Sequence, residues 1–170
     1  MKKNILYITN KYRAIIVTLL VSCFGLFFLI LPIILNSLIS DSLIGNFISN
    51  NFYNIILIII PILIYFIFIG VYYFEINVDP YVIQITSFRT ISSIFFKKNY
   101  IDISNSMLKE FRFFNRPFSF NQTLMIKLEN QNGKIIAKRF NISFVTQKEK
   151  MNIISSLNFI LKINNERRSR

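Results

Sequence analysis

Residues Ile55–Phe74 read IILIIIPILIYFIFIGVYYF, twenty positions without a single charge. A helix rises about 1.5 Å per residue, so a run of this length covers roughly 30 Å, the thickness of a bilayer's hydrocarbon core. The run passes directly into Glu75–Pro80, EINVDP, where apolar and polar residues alternate strictly. Period two is the mark of a half-buried strand. The reading that satisfies both signals is a membrane helix that hands the chain straight to a β domain.

A second uncharged run lies upstream. Ala14–Leu35 reads AIIVTLLVSCFGLFFLILPIIL, 22 residues. Within it Leu20-Val21-Ser22-Cys23 resembles a lipoprotein cleavage box with Cys23 as the lipidated residue. The chain stays apolar past Cys23 to Leu35, longer than a signal's apolar core, so an uncleaved span is expected. Pro32 and Pro61 lie inside the two runs, where membrane helices tolerate proline and bend. Thr18, Ser22 and Gly25 lie near one helical face; they either admit close helix packing or are ordinary small residues.

Charge sets the orientation. Met1–Arg13 carries Lys2, Lys3, Lys11 and Arg13, whereas Ala14–Phe74 has no Lys or Arg and one acid, Asp41. Glu75–Arg170 holds sixteen basic residues against seven acidic ones. Both flanks are basic and the Asn- and Ser-rich connection 36–54 is not. The positive-inside rule therefore predicts both termini in the cytoplasm and the connection outside, as for a bacterial inner-membrane protein. The expected organisation is a basic N-terminus 1–13, a transmembrane hairpin 14–74 with spans near 14–35 and 55–74, a cytoplasmic β domain 75–163 and a basic tail 164–170.

The β domain is read from alternation. Phe74, Ile76 and Val78 point one way; Tyr81, Ile83 and Ile85 repeat the pattern after the Asp79-Pro80 turn. A less regular strand is expected in Ile91–Phe96, interrupted by Lys97-Lys98-Asn99 and resumed at Tyr100–Ile103. Phe111 and Phe113 mark another, and Leu124, Ile126 and Leu128 the next. Asn132-Gly133 is a hairpin signal, with a returning strand at Lys134–Phe140. At Thr146 the period changes. Thr146 and Glu149 form a capping box. Ile153, Ile154, Leu157, Ile160 and Leu161 then recur at helical spacing, predicting a helix over Gln147–Lys162 that lays Ile153, Ile154, Leu157 and Leu161 on the sheet. Asn164–Arg170 is expected to be a mobile polar tail, whose arginines add about 1 kcal/mol each of attraction to an anionic leaflet if they lie near it.

Two apolar helices, short antiparallel strands opening FEINVDPYVIQI, the YIDI segment 100–103, a hairpin around Gly133 and one C-terminal amphipathic helix make a layout that resembles bacterial membrane proteins with a pleckstrin-homology-like (PH-like) domain. The resemblance covers the hairpin and Phe74–Lys162. It implies an α+β membrane protein: two transmembrane helices followed by a PH-like antiparallel barrel or sheet of about seven strands, plugged at one end by the last helix. It implies a binding module and no lipid ligand, since Asp79-Pro80 stands where phosphoinositide-binding relatives carry cations between the first two strands.

The chemistry points away from catalysis. The chain has no His, and its single Cys lies in an apolar run, so the commonest general base, a thiolate metal site and an internal disulfide are all missing. Four Gly form no phosphate-cradling loop. The acids are scattered singly, and neither run carries an ionisable residue for a proton or ion path. A Ser–Lys dyad has nothing in its favour. The expectation is a non-enzyme with no cofactor and no metal. Nucleic acid is not an expected partner, because the basic residues are not interleaved with aromatics on one face. Asn121 and Asn141 begin glycosylation sequons that a cytoplasmic location leaves unused.

The candidate interaction surface is the most aromatic loop, Phe114–Phe120, FNRPFSF, with Phe114, Arg116, Phe118 and Phe120, together with Lys97 and Lys98. Aromatics beside Arg are the composition of binding hot spots and of loops that rest on headgroups; the structural alternative is that these Phe plug the open end of a small barrel. For the lysines the alternative is a solvated turn. Expected partners are the bilayer, a protein or a second copy of the chain, and anionic inner-leaflet lipid. The rival reading is a small subunit of a transport or secretion complex that works through its hairpin; a third is an accessory factor to lipid metabolism.

Overall fold

The computed structural model describes residues 6–38, 42–90, 98–117, 119–130 and 132–168. It divides into two compact units, Met1–Ala14 with Val71–Arg170, and Ile15–Gly70. The order of elements in the chain is β1 (Leu6–Thr9), α1 (Lys11–Leu38), α2 (Leu43–Ile69), β2 (Tyr72–Val78), β3 (Val82–Arg89), β4 (Asn99–Ser104), β5 (Leu108–Asn115), β6 (Asn121–Glu129), β7 (Ile135–Ser143) and α3 (Gln147–Arg168), with a single 3₁₀ turn at Asn105–Met107.

The β unit is two antiparallel sheets, β1-β2-β3-β4 and β5-β6-β7. The alternation read in β2 holds: Phe74, Ile76 and Val78 are buried, and so are Ile83 and Ile85 on β3. Tyr81 is exposed, because it belongs to the turn after Pro80 and the strand begins at Val82. In β6 Leu124, Ile126 and Leu128 are buried as expected, and Met125 between them is buried too. At the hairpin, Gly133 takes φ 71°, the left-handed region open to glycine, and its amide donates to the Asn130 carbonyl at 2.8 Å. The returning strand β7 extends to Ser143, beyond the Phe140 that alternation reached.

Helix α3 closes the core with Ile153, Leu157 and Ile160, while Ile154 and Leu161 are half-buried. It does not stop at Lys162. The stripe continues one turn to Asn164, whose side-chain amide donates to the Asn105 carbonyl at 2.7 Å and the Leu108 carbonyl at 3.0 Å. The expected mobile tail is thus helical through Arg168 and pinned by a buried polar residue. The irregular strand expected at Ile91–Phe96 lies outside the described residues.

The largest departure is at the N-terminus. The segment read as a basic tail contributes β1, whose four residues pair with β2 in register Leu6 with Val78 through Thr9 with Glu75. The helices therefore do not precede the domain; they are inserted between its first two strands. Four residues are too few for alternation to separate from chance, so this strand is defined by its partner.

The helical unit is described by itself. Its first helix contains Lys11–Leu35, long and apolar enough by length and composition to cross a membrane, with mean hydropathy 2.9. The second falls short of that measure among the described residues, its apolar part being Asn50–Tyr65. Of the two expected spans, one helix is a candidate by length and composition. Helix α2 begins at Leu43, inside the segment expected as a loop, so its first turns carry Asn46, Asn50 and Asn51. It runs on through Pro61 and ends at Ile69, five residues before the expected boundary. Gly70 follows with φ 67°, a left-handed terminator, and Val71–Phe74 go to the sheet. Uncharged β-branched and aromatic residues suit a buried strand as well as a helix, which is why hydropathy alone overran the boundary. Gly25 has a packing role: a methyl there would come within 2.7 Å of the Leu63 side chain.

Candidate functional site

In the antiparallel four-stranded sheet, β1 ends, β2 begins, β3 ends and β4 begins at one end. That end is where the chain leaves for α1 and returns from α2. The edge strand β7 is tied to it through its carbonyls. Asn10 Nδ2 donates to Ser143 O at 2.9 Å, Ser87 Oγ to Asn141 O, and Asn99 Nδ2 to Arg139 O at 3.5 Å. In return Lys138 Nζ donates to Tyr100 O at 3.2 Å. Side chains of one sheet thus occupy backbone acceptors on the edge of the other, a way of keeping an edge strand from pairing with foreign chains.

Asn10 is the centre of this junction. It is 1% exposed and uses every polar group it has. Its Oδ1 accepts from Phe74 N at 2.8 Å, and its Nδ2 donates to Tyr72 O at 2.8 Å besides Ser143 O. Its carbonyl accepts the first helical bond of α1 from Ala14 N at 2.8 Å. Ser143 Oγ accepts from Tyr72 N at 2.8 Å and donates to Asn121 Oδ1. Buried amides and hydroxyls are costly unless paired, and here each is paired. One side chain therefore holds the strand before the helices, the strand after them and the last strand of the domain.

Arg13, in the first turn of α1, extends the junction to α3. Its guanidinium donates to Phe144 O at 2.7 Å and grips the Glu149 carboxylate with two nitrogens. Glu149 is also the capping residue foreseen from sequence: Thr146 N donates to its Oε2 at 2.8 Å, and Glu149 N donates to Thr146 Oγ1 at 3.2 Å. Partial burial opposes the charge on Glu149, but Arg13 and the Thr146 amide and hydroxyl outweigh it and hold its carboxyl below the usual glutamate value. Phe144 takes φ 56°, and its ring stacks on Phe120 with centroids 4.8 Å apart.

The candidate surface residues fall as follows. Phe114, near the end of β5, is 45% exposed. Arg116 is exposed and donates to Asn141 Oδ1 at 3.0 Å. Phe120 is half-buried against Phe144, the packing alternative for that ring. Lys98 is exposed, with its ammonium 5.0 Å from the Phe88 ring centre. Phe118 and Lys97 lie outside the described residues. Arg116 and Lys98, far apart in sequence, reach the same end: Arg116 bonds Asn141, whose carbonyl accepts from Ser87, and Ser87 pairs with Asn99 next to Lys98.

Asn10 and Asn164 were not singled out from sequence; Arg13 was read only as part of the basic flank, and Asn121 and Ser143 only as parts of glycosylation sequons. Glu149 carried a capping signal; Arg13 meets it across 136 residues and carried none. Among the described residues no group of three or more His, Cys, Asp or Glu side chains is placed to hold a metal ion. The fold and this junction define an α+β protein of two antiparallel sheets and a C-terminal helix, with a helical pair inserted after the first strand. No family model, no curated protein and no solved structure matches the chain.

Proposed function

We propose that the chain is a bacterial inner-membrane protein that spans the membrane twice, through α1 and α2, and presents a non-catalytic, PH-like β domain in the cytoplasm as a binding or assembly module for a protein or the membrane surface. The observation that carries this is the pairing of β1 with β2. The two strands flank the helices and lie in one sheet, so both stand on the same side of any membrane the helices enter. If α1 crosses, the chain must cross back before Tyr72. Helix α2 has 27 residues, about 40 Å at the helical rise, and supplies the return. The basic flanks then favour the cytoplasm for the sheet-forming side. The four-plus-three strand arrangement with a closing C-terminal helix supports the PH-like reading.

The test is topology. In a Cys23→Ser background, Ser42→Cys between the helices should react with a membrane-impermeant maleimide added to spheroplasts, while a reporter fused at the C-terminus reads cytoplasmic. Protection of Ser42→Cys until the membrane is opened would overturn the two-span reading.

A further inference from the structure

We infer that the end of the β unit bearing the helix junctions is a contact surface for anionic phospholipid headgroups, built from Lys11, Tyr12, Lys98, Phe114, Arg116 and Lys148. The inference rests on the two-span reading and adds to it the chemistry of what the domain touches.

Three observations carry it. The first is placement. Lys11 and Tyr12 follow Asn10 directly, and Lys98 precedes β4 at the same end of the larger sheet. Arg116 is tied there through Asn141 and Ser87, and Lys148 precedes the Glu149 that holds Arg13. The second is composition. All six side chains are exposed, Tyr12 by 78% and Phe114 by 45%. Of the acids nearest this end, Glu149 is gripped by Arg13, Glu75 opposite Thr9 accepts from the Tyr73 hydroxyl, and Asp102, opposite Gln84 on β4, accepts from the Tyr100 hydroxyl. Asp79 lies at the opposite end, in the β2–β3 turn, and Glu129 and Glu166 lie at the far ends of β6 and α3. The third is continuity. The uncharged run begins at Ala14, one residue after Arg13, in the same unbroken helix. Residues adjoining Arg13 therefore sit at headgroup depth, where cations meet phosphate and aromatic rings rest among glycerol and acyl ester groups.

Full-length protein with Cys23→Ser and a single nitroxide at Asn115→Cys, reconstituted in nanodiscs, tests this. A matched label at Tyr81→Cys, at the opposite end of the larger sheet, is the control. In discs containing phosphatidylglycerol the Asn115 label should be severalfold less accessible to a water-soluble nickel chelate than the Tyr81 label. The difference should fade in pure phosphatidylcholine and in high salt, where screening shortens from about 8 Å to about 3 Å. The double charge reversal Lys98→Glu with Arg116→Glu should abolish the shielding; Lys98→Gln with Arg116→Gln should weaken it and, carrying no new charge, leave the melting temperature unchanged. Equal accessibility of the two labels in anionic discs would overturn the proposal. So would shielding that persists in neutral lipid or survives the reversal, since a bound protein surface or simple crowding would then be responsible. A chain that does not insert into discs at all would sink the two-span reading and this proposal with it.

Discussion

In the β unit, Phe74, Ile76, Ile83, Leu124 and Phe140 have no exposure at all; in the helical unit Leu19, Leu26, Ile33 and Leu57 are each more than half exposed. The residue types are similar and their disposition is opposite. The β unit goes further, drawing Asn10, Asn121, Ser143 and Asn164 inside and pairing them there. An apolar exterior of this extent is a liability in water and the normal state in hydrocarbon. The same residue types are thus placed inside in one unit and on the surface in the other.

The largest effect should come from breaking that placement inside the β unit. Leu157→Asp places a charge with no partner where exposure is zero, at a cost of several kcal/mol, about 3–5, and should leave the domain unfolded in circular dichroism. A variant that melts like the wild type would show that α3 is no part of the core. Next comes the same substitution outside. Leu26→Asp costs about 2.5–3.5 kcal/mol if its surroundings are hydrocarbon, and should reduce membrane insertion measured by carbonate extraction. If water surrounds it, the variant instead becomes more soluble without loss of fold, and the contrast between the units loses its meaning.

The smallest effect is expected where the units are joined along the chain. Glu149→Gln removes a carboxylate that caps α3 and holds Arg13, and should cost about 1–2 kcal/mol at neutral pH. The folded carboxyl titrates below its ordinary 4.5, so its stabilisation is complete above that value and is lost as pH falls through the lower folded value. Melting curves of wild type and Glu149→Gln should therefore differ at pH 7 and converge in acid. A gap that stays constant with pH would assign the effect to packing.

These contrasts also explain what could be read without coordinates. Strands β2, β3 and β6 and helix α3 were legible because each repeats its apolar residues at its own period over several residues. The capping box was legible because both partners are local. Strand β1 was not, since four residues hold no reliable period; nor was the extension of α3, because Asn164 is buried for a hydrogen bond and reads as polar surface. The candidate loop was found by composition, and its relation to Lys98 only by register. The junction itself was invisible, being made of Asn10, Ser143 and Arg13, which meet partners across 22 to 136 residues and advertise nothing locally.

The position of β1 fixes an order of events in biosynthesis. Thr9 bonds the Phe74 carbonyl across 65 residues, and among the described residues β2 is the strand beside β1 in its sheet. Strand β1 therefore waits for β2 until both intervening helices have been made. At equilibrium the long detour is cheap, since each doubling of loop length adds only about 0.6 kcal/mol. In time it sets an order: the β1–β2 pairing and the bonds of Asn10 to Tyr72 and Phe74 form only after the intervening helices have been made. On the two-span reading proposed above, a helical pair that failed to return would leave β2 without β1 beside it.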